Sequence, residues 1–466
     1  MDEMATPGTP CDQGLALFTD LYELTMLQAY LEEGMHGEAV FTLFVRRLPA
    51  RRNYLLACGL DTVLGQLEDL RFTRADLDYL GGLGPFKDRF LRWLEDFRFT
   101  GAVHAVPEGT PVFANEPILE VVAPLPEAQL IETLVMNQVH LQTVIASKAA
   151  RLVEAAGGRP VVDFGARRMH GLDAAIKGAR AFHIAGVAAT SNVLAGRLYG
   201  LPVRGTMAHS YIQAHVDEAA AFIAFARLYP ETVLLVDTYD TLAGIDRVIA
   251  LAKEMGDAFH VSAVRLDSGD LASLALEGRA RLDEAGLSQV GIFASGGLNE
   301  DVIAELLQHG APIDGFGVGT SMGISSDVPD LDIAYKLAEY AGEGRLKLSS
   351  GKPILPGRKQ IFREQRDGLY AGDVIGRLDE DLPGEPLLVK VMEHGQRLNS
   401  HQRDLKCLRD HAADCLKRLP ADIRAITPAD EPYPVRISAA LADHQRAVRE
   451  VIETRHRSSE RGGCEE

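Results

Sequence analysis

The sequence predicts an α/β protein built around an irregular (β/α) barrel, with a smaller discontinuous domain assembled from the two ends of the chain. Three observations carry this. Strand-like apolar runs recur near 161, 186, 202, 232, 261, 290 and 313, with helical patterns between them, an alternation that gives parallel strands joined by crossover helices. These runs repeatedly end in glycines or polar side chains, as barrel strands do where they deliver groups to one mouth. No Gly-x-Gly-x-x-Gly turn follows the first strand, so a doubly wound dinucleotide-binding sheet is the weaker alternative.

In chain order, residues 1–13 read as a loose leader and 14–130 as an N-terminal domain. Thr19 is the expected cap of a helix burying Leu21, Leu24, Leu27 and Leu31. Ala39 to Val45 reads as a strand, and Phe99 to Val122 as short antiparallel strands broken by Pro-Glu-Gly and Asn-Glu-Pro turns. A long helix over Leu130 to Ala156 opens the barrel domain, placed at 131–345. Its later helices are expected at Ala174–Phe182, Asn192–Leu198, Asp217–Leu228, Leu242–Met255, Ala272–Glu284 and Asn299–Gln308. Residues 346–456 return to strand and turn and are expected to fold back onto the N-terminal domain, with 457–466 a disordered tail.

The 48 basic and 66 acidic residues give a net charge of −18, which argues against a nucleic-acid or anionic-membrane binder. No run of 18 apolar residues occurs and the N-terminus has no signal-peptide pattern. The five cysteines, at 11, 58, 407, 415 and 464, form no disulfide framework, so a cytoplasmic protein with reduced thiols is expected. Cys407, His411 and Cys415 have metal-like spacing, but Cys407 and Cys415 on one helix lie about 12 Å apart along the axis, too far to share a zinc.

The chemistry concentrates at strand ends. Ser295-Gly296-Gly297 and Gly317-Val318-Gly319-Thr320-Ser321 sit where a barrel's late loops bind phosphate, with backbone N–H groups and hydroxyls as donors. Arg167 and Arg168 follow Asp163-Phe164-Gly165, and Arg265 precedes Asp267 and Asp270. Guanidinium groups stay charged when desolvated and grip phosphate or carboxylate in pairs of hydrogen bonds, although pairing with Asp163 or Asp237 is an alternative. Asp237, Asp267 and Asp270 form an acidic group suited to a cationic transition state or a hydrated Mg²⁺, unless they serve as structural ion-pair partners. His209 follows Gly205-Thr206-Met207-Ala208 and is a candidate general base, phosphate ligand or nucleophile that accepts a phosphoryl group; spacing does not choose.

Phe18-Thr19-Asp20-Leu21-Tyr22-Glu23-Leu24-Thr25-Met26 resembles the N-terminal signature of nicotinate phosphoribosyltransferases. So do Asp163 to Arg168, Ala189-Thr190-Ser191-Asn192, Gly205 to Ser210, Val264 to Leu271 and Phe316 to Ser321. Lys347-Leu348-Ser349 and Leu355 to Arg363 resemble the family's C-terminal motif. The resemblance spans about 18 to 363; residues 380–466 carry none of it. It implies the irregular barrel of type II phosphoribosyltransferases with an α/β sandwich domain, in a homodimer. The implied reaction converts nicotinate and 5-phosphoribosyl 1-pyrophosphate to nicotinate mononucleotide and pyrophosphate in NAD salvage, coupled to ATP hydrolysis, with Mg²⁺ accompanying the phosphates. His209 corresponds to a transiently phosphorylated histidine, Tyr22, Thr206 and Arg265 to nicotinate contacts, and Thr320 to a phosphoribosyl pyrophosphate contact. Rival expectations are a nicotinamide or quinolinate phosphoribosyltransferase, a phosphate-binding barrel aldolase or isomerase, and a non-catalytic binding protein. An aldolase would want a Schiff-base lysine at a strand end, and none of the predicted strands supplies one.

Overall fold

A computed structural model of the chain describes residues 15–348, 354–398 and 404–462, with side chains through Arg457. The expected leader and residues 349–353 of the C-terminal motif lie outside the described residues. The chain divides into two compact units: 1–144 with 330–424 and 428–466, and 145–329 with 425–427.

The first unit centres on a seven-stranded sheet in the order Glu343–Gly344, Ile333–Tyr340, Glu38–Val45, Pro117–Pro124, Ala102–Ala105, Val389–Glu393, Gln396–Arg397. Glu38–Val45 is buried along nearly its whole length because it pairs antiparallel on both sides, with Ile333–Tyr340 and with Pro117–Pro124. Phe41 and Tyr335 stack across that ladder at 4.8 Å. A second sheet orders Glu385–Pro386, Lys359–Arg366, Leu369–Arg377 and Val435–Ile437. Three boundaries differ from the expectation: the first unit runs to 144 rather than 130. Ile333–Tyr340, assigned by sequence to the barrel, is a strand of the first unit, since its register with Glu38–Val45 buries Ala334, Tyr335 and Ala338. The C-terminal helix Ala439–Gly462 runs through 457–462, where a disordered tail was expected. Thr19 does not cap the first helix either. Asp20 holds the cap position of Leu21–Glu32, while the Thr19 hydroxyl donates to Glu23.

The second unit carries a curled six-stranded parallel sheet in the order Ala189–Thr190, Val161–Asp163, Gly315–Val318, Gly291–Ser295, Ala263–Leu266, Val233–Leu235. Leu234, Val264, Ile292 and Phe316 are fully buried in it, each a side chain whose burial contributes about 1.5–3 kcal/mol. The crossover helices begin where short polar side chains cap them. Asn192, Asp217, Asp240, Asp270 and Asn299 each accept from a backbone N–H of the first turn, satisfying donors that the helix leaves open. The strand expected near 202 reduces to a single parallel bridge between Val203 and Thr190, because Pro202 has no N–H to extend the ladder. Among the described residues no helix is long and apolar enough to cross a membrane.

Candidate active site

Strand register alone builds the mouth of the second unit. Leu235 pairs with Arg265, Leu266 with Ala294, Ser295 with Gly317, and Val318 with Asp163. The residues just past those pairs, Asp237, Asp267 and the Ser295–Gly297 turn, therefore emerge together at the C-terminal edge. The Asp267 N–H donates to Asp237 Oδ2 at 3.0 Å and the Ser268 hydroxyl to the same oxygen at 2.6 Å. The Ser295 hydroxyl donates to Asp267 Oδ1 at 2.5 Å.

His209 opens the short helix His209–Gln213. Its Nδ1 lies 3.1 Å from Thr238 Oγ1, and its Nε2 lies 3.8 Å from Asp267 Oδ2. The imidazole is thus fixed through one nitrogen and faces the carboxylates with the other. The same loop is tied down by Arg265, whose Nη2 donates to the Met207 carbonyl at 2.9 Å. Burial pulls the Arg265 guanidinium below its usual pKa, while Asp267 and Asp237 work the other way. Its Nε is buried and, among the described residues, has no hydrogen-bond partner. The same holds for Asp237 Oδ1 and Ser321 Oγ. Native interiors rarely leave such atoms unpaired, and Arg265 and Asp237 both flank the His209 loop and the Asp267 strand end, where a ligand can meet that donor and that acceptor.

The glycine turns are shaped by close approach. Gly296 has φ +84° and a Cβ there would meet the Asp267 carbonyl oxygen at 1.8 Å, so no other residue fits. Gly317 is buried, and its bare Cα makes room for the Phe164 ring, which a Cβ would meet at 2.5 Å; its place is one of packing. Gly297, Gly319 and Thr320 form the accessible edges of the two loops. Helix Glu300–Gln308 follows directly, capped by Asn299, and presents its positive end on that side.

Arg167 and Arg168 lie on the turn Ala166–Arg168 and are exposed. Asp163 is not their partner: it accepts from the Gly165 N–H and the Thr190 hydroxyl, both at 2.7 Å. Burial pushes its carboxyl above the usual range, against those two hydrogen bonds. Asp237 is engaged only through Oδ2, and among the described residues no hydrogen bond or ion pair joins it to Arg167 or Arg168. Asp270 departs from the expected acidic group. It is exposed and caps helix Leu271–Glu284 through Ser273, the task an aspartate performs well at that position. Thr206 lies in the His209 loop, with its hydroxyl on the Met207 carbonyl at 3.2 Å. Tyr22 lies in the first unit, exposed on helix Leu21–Glu32. On helix Leu405–Arg418, Cys415 meets Tyr370 and His411 meets Thr110, and no group of metal-binding side chains occurs among the described residues.

Sequence reasoning missed two contributors. Thr238 orients His209, and Phe164 carries the Arg265 guanidinium 6.0 Å above its ring with Phe293 at 6.2 Å. An aromatic residue directly after a strand-ending aspartate was the available signal for Phe164; nothing in the sequence marked Thr238.

The nicotinate phosphoribosyltransferase N-terminal domain family matches residues 17–140, and the nicotinate phosphoribosyltransferase family matches 160–370. Nicotinate phosphoribosyltransferase pncB2 of Mycobacterium tuberculosis is 57% identical over 441 residues, covering 95% of this chain and 94% of that protein. The Bacillus subtilis nicotinate phosphoribosyltransferase is 44% identical, covering 80% and 78%. Among solved structures, human nicotinic acid phosphoribosyltransferase superposes with a TM-score of 0.82 at 29% identity, over 92% of this chain and 99% of that one. A strand-end mouth of arginines, aspartates, a histidine and glycine turns, with relatives of this similarity over nearly its full length, places the chain in the nicotinate phosphoribosyltransferase family.

Proposed function

We propose that this enzyme joins nicotinate to the ribose of 5-phosphoribosyl 1-pyrophosphate, releasing pyrophosphate and forming nicotinate mononucleotide for NAD salvage. The observation that carries it is that His209, Arg265, Asp237 and Asp267 come together at the C-terminal edge of the parallel sheet. The pyridine nitrogen is unprotonated at neutral pH, so no base is needed. Its lone pair forms the bond to the ribose C1 while the C1–oxygen bond breaks and pyrophosphate leaves with that electron pair. The residues must hold the diphosphate, steady an oxocarbenium-like carbon and align the ring. The Ser295–Gly297 and Gly319–Thr320 turns with Arg167 and Arg168 suit the first task, and Asp237 and Asp267 the second. Arg265 suits a carboxylate, since a carboxamide leaves its charge poorly matched. Phe164 offers the ring a stacking face, with Tyr22 and Thr206 as further nicotinate contacts.

Mg²⁺ fits as a companion of the diphosphate, held through Asp237 Oδ1 with Asp267 beside it, since magnesium binds through one or two carboxylates plus substrate phosphates. Bound there, it would neutralise charge building on the leaving group. ATP coupling fits His209: its Nε2 forms a bond to the γ-phosphorus as ADP leaves, with Nδ1–H held by Thr238. The added charge would reshape the mouth. The wide spacing of the five cysteines along the chain supports a cytoplasmic setting, and a homodimer is the proposed assembly.

The test is product analysis with nicotinate, nicotinamide and quinolinate, with and without ATP, on wild type and His209→Ala. Nicotinate should be used preferentially. The variant should lose ATP stimulation and phosphate labelling yet keep weak ATP-independent turnover. Intact ATP coupling in the variant would remove the role of His209, and preference for the amide would remove that of Arg265.

A further inference from the structure

The two glycine turns pose a mechanical problem. Gly296 and Gly297 have φ values of +84° and +64°, and nothing lies within 4 Å of where a Gly297 side chain would begin. Gly296 rests against the Asp267 carbonyl, but Gly297 has no such contact and is held by its flanks. Upstream, Ser295 is fixed by its hydrogen bond to Asp267. Downstream, three residues past Gly297, Glu300 is buried with its carboxylate on Lys148 Nζ at 2.5 Å and Arg151 Nε at 3.0 Å. Lys148, 2% exposed on helix Glu132–Ala155, also reaches Asp327 Oδ1 at 2.7 Å. Asp327 follows the short helix Thr320–Gly323 that the second turn feeds. Arg151 adds a hydrogen bond to the Ile426 carbonyl at 2.6 Å. A single buried ammonium thus ties the downstream end of one turn to that of the other, with charges balanced two against two.

We propose that Lys148 is a positioning residue for the diphosphate: through Glu300 and Asp327 it sets the spacing of the Ser295–Gly297 and Gly319–Ser321 turns. This rests on the assignment of those turns to phosphate above. Lys148 touches no substrate; it acts through two carboxylates on the backbone N–H groups that do. A buried charge bridging two partners tolerates little displacement, because moving toward either carboxylate weakens its ion pair with the other. Backbone donors serve an anion only when held in place.

The experiment measures binding of inorganic pyrophosphate with magnesium by calorimetry, Michaelis constants for both substrates, and hydrogen exchange at the turn amides. It uses the full-length enzyme with Lys148→Met and Asp327→Asn. Lys148→Met should weaken pyrophosphate binding about tenfold, since small misplacements of positioning groups cost up to ~100-fold. Exchange at Gly296 and Gly297 should speed up, while the nicotinate constant stays within about twofold. Asp327→Asn should shift the same quantities less, with faster exchange at Gly319 to Ser321. If Lys148→Met does not fold, Asp327→Asn decides alone. Folded variants with wild-type pyrophosphate affinity, whatever their melting temperature, would reduce the cluster to a structural one and overturn the proposal. So would parallel rises in both Michaelis constants. A wild type that binds no pyrophosphate would instead sink the phosphate assignment and the clamp with it.

Discussion

Each of the two units holds an arginine grouped with aspartates, and the two groupings are built to opposite ends. In the first unit Arg363 and Asp373 are 1% and 0% exposed and joined by Nε at 3.0 Å and Nη2 at 2.6 Å. Tyr433 donates to the same carboxylate, and the guanidinium lies 4.8 Å above the Tyr370 ring. Glu116 beside them is pushed well above the usual carboxyl range by burial and by Asp373. In the second unit Arg265 spends one hydrogen bond on a backbone carbonyl, makes none with Asp237 or Asp267, and keeps Nε unpaired. An unpaired nitrogen does not separate the two, since Arg363 Nη1 also lacks a partner among the described residues; a carboxylate partner does, because Arg363 holds one and Arg265 does not. A guanidinium bound to its own carboxylate specifies packing, whereas one without such a partner can take it from a ligand.

The comparison can be broken from either side. Arg363→Leu removes one partner of a buried ion pair and should cost about 3–5 kcal/mol. Urea unfolding would read this, and Michaelis constants of the folded fraction should stay unchanged; a mild stability loss would mean that Asp373 is held without Arg363. Asp267→Asn should instead lower kcat by ~10²–10³, the range for losing one preorganised electrostatic contact, with little change in unfolding midpoint. A destabilised variant with normal turnover would move Asp267 to the structural class. Arg265→Gln should raise the nicotinate constant more than that of the ribosyl donor, by about 1.5–3 kcal/mol in binding, as for a charged hydrogen bond; the reverse ranking would place it at the donor site.

The smallest effect concerns Glu23, buried beside Tyr22 and accepting from the Thr133 hydroxyl at 2.6 Å. Burial lifts its carboxyl from 4.5 to about 7, against the hydrogen bonds of Thr133 and Thr19. A raised pKa means the folded state binds the proton more tightly. The stability it confers is full below 4.5 and is lost as pH rises through about 7. Glu23→Gln should flatten stability across that window; an unchanged slope would show that Glu23 ionises normally.

Much of the second unit was legible because its signals are local. Apolar runs and capping residues at Asn192, Asp217 and Asn299 place helices wherever they occur. Glycines and polar residues at strand ends mark a mouth once strands are parallel. The first unit was harder to read, since Ile333–Tyr340 finds its partner some 290 positions earlier in Glu38–Val45, and such pairing leaves no mark in the neighbourhood of either strand.

The sequence by itself determined the alternation of strand and helix, the glycine turns and the candidate status of His209, Arg265, Asp237 and Asp267. Only the tertiary structure decided that Asp270 is a cap, that Gly317 yields its space to Phe164, and that Thr238 fixes His209. It also decided that Arg363, inside a family-like motif, is buried in an ion pair with Asp373. The physical reason is that propensity and periodicity act over a few residues, whereas hydrogen-bond partnership and burial depend on which distant segment the fold brings alongside.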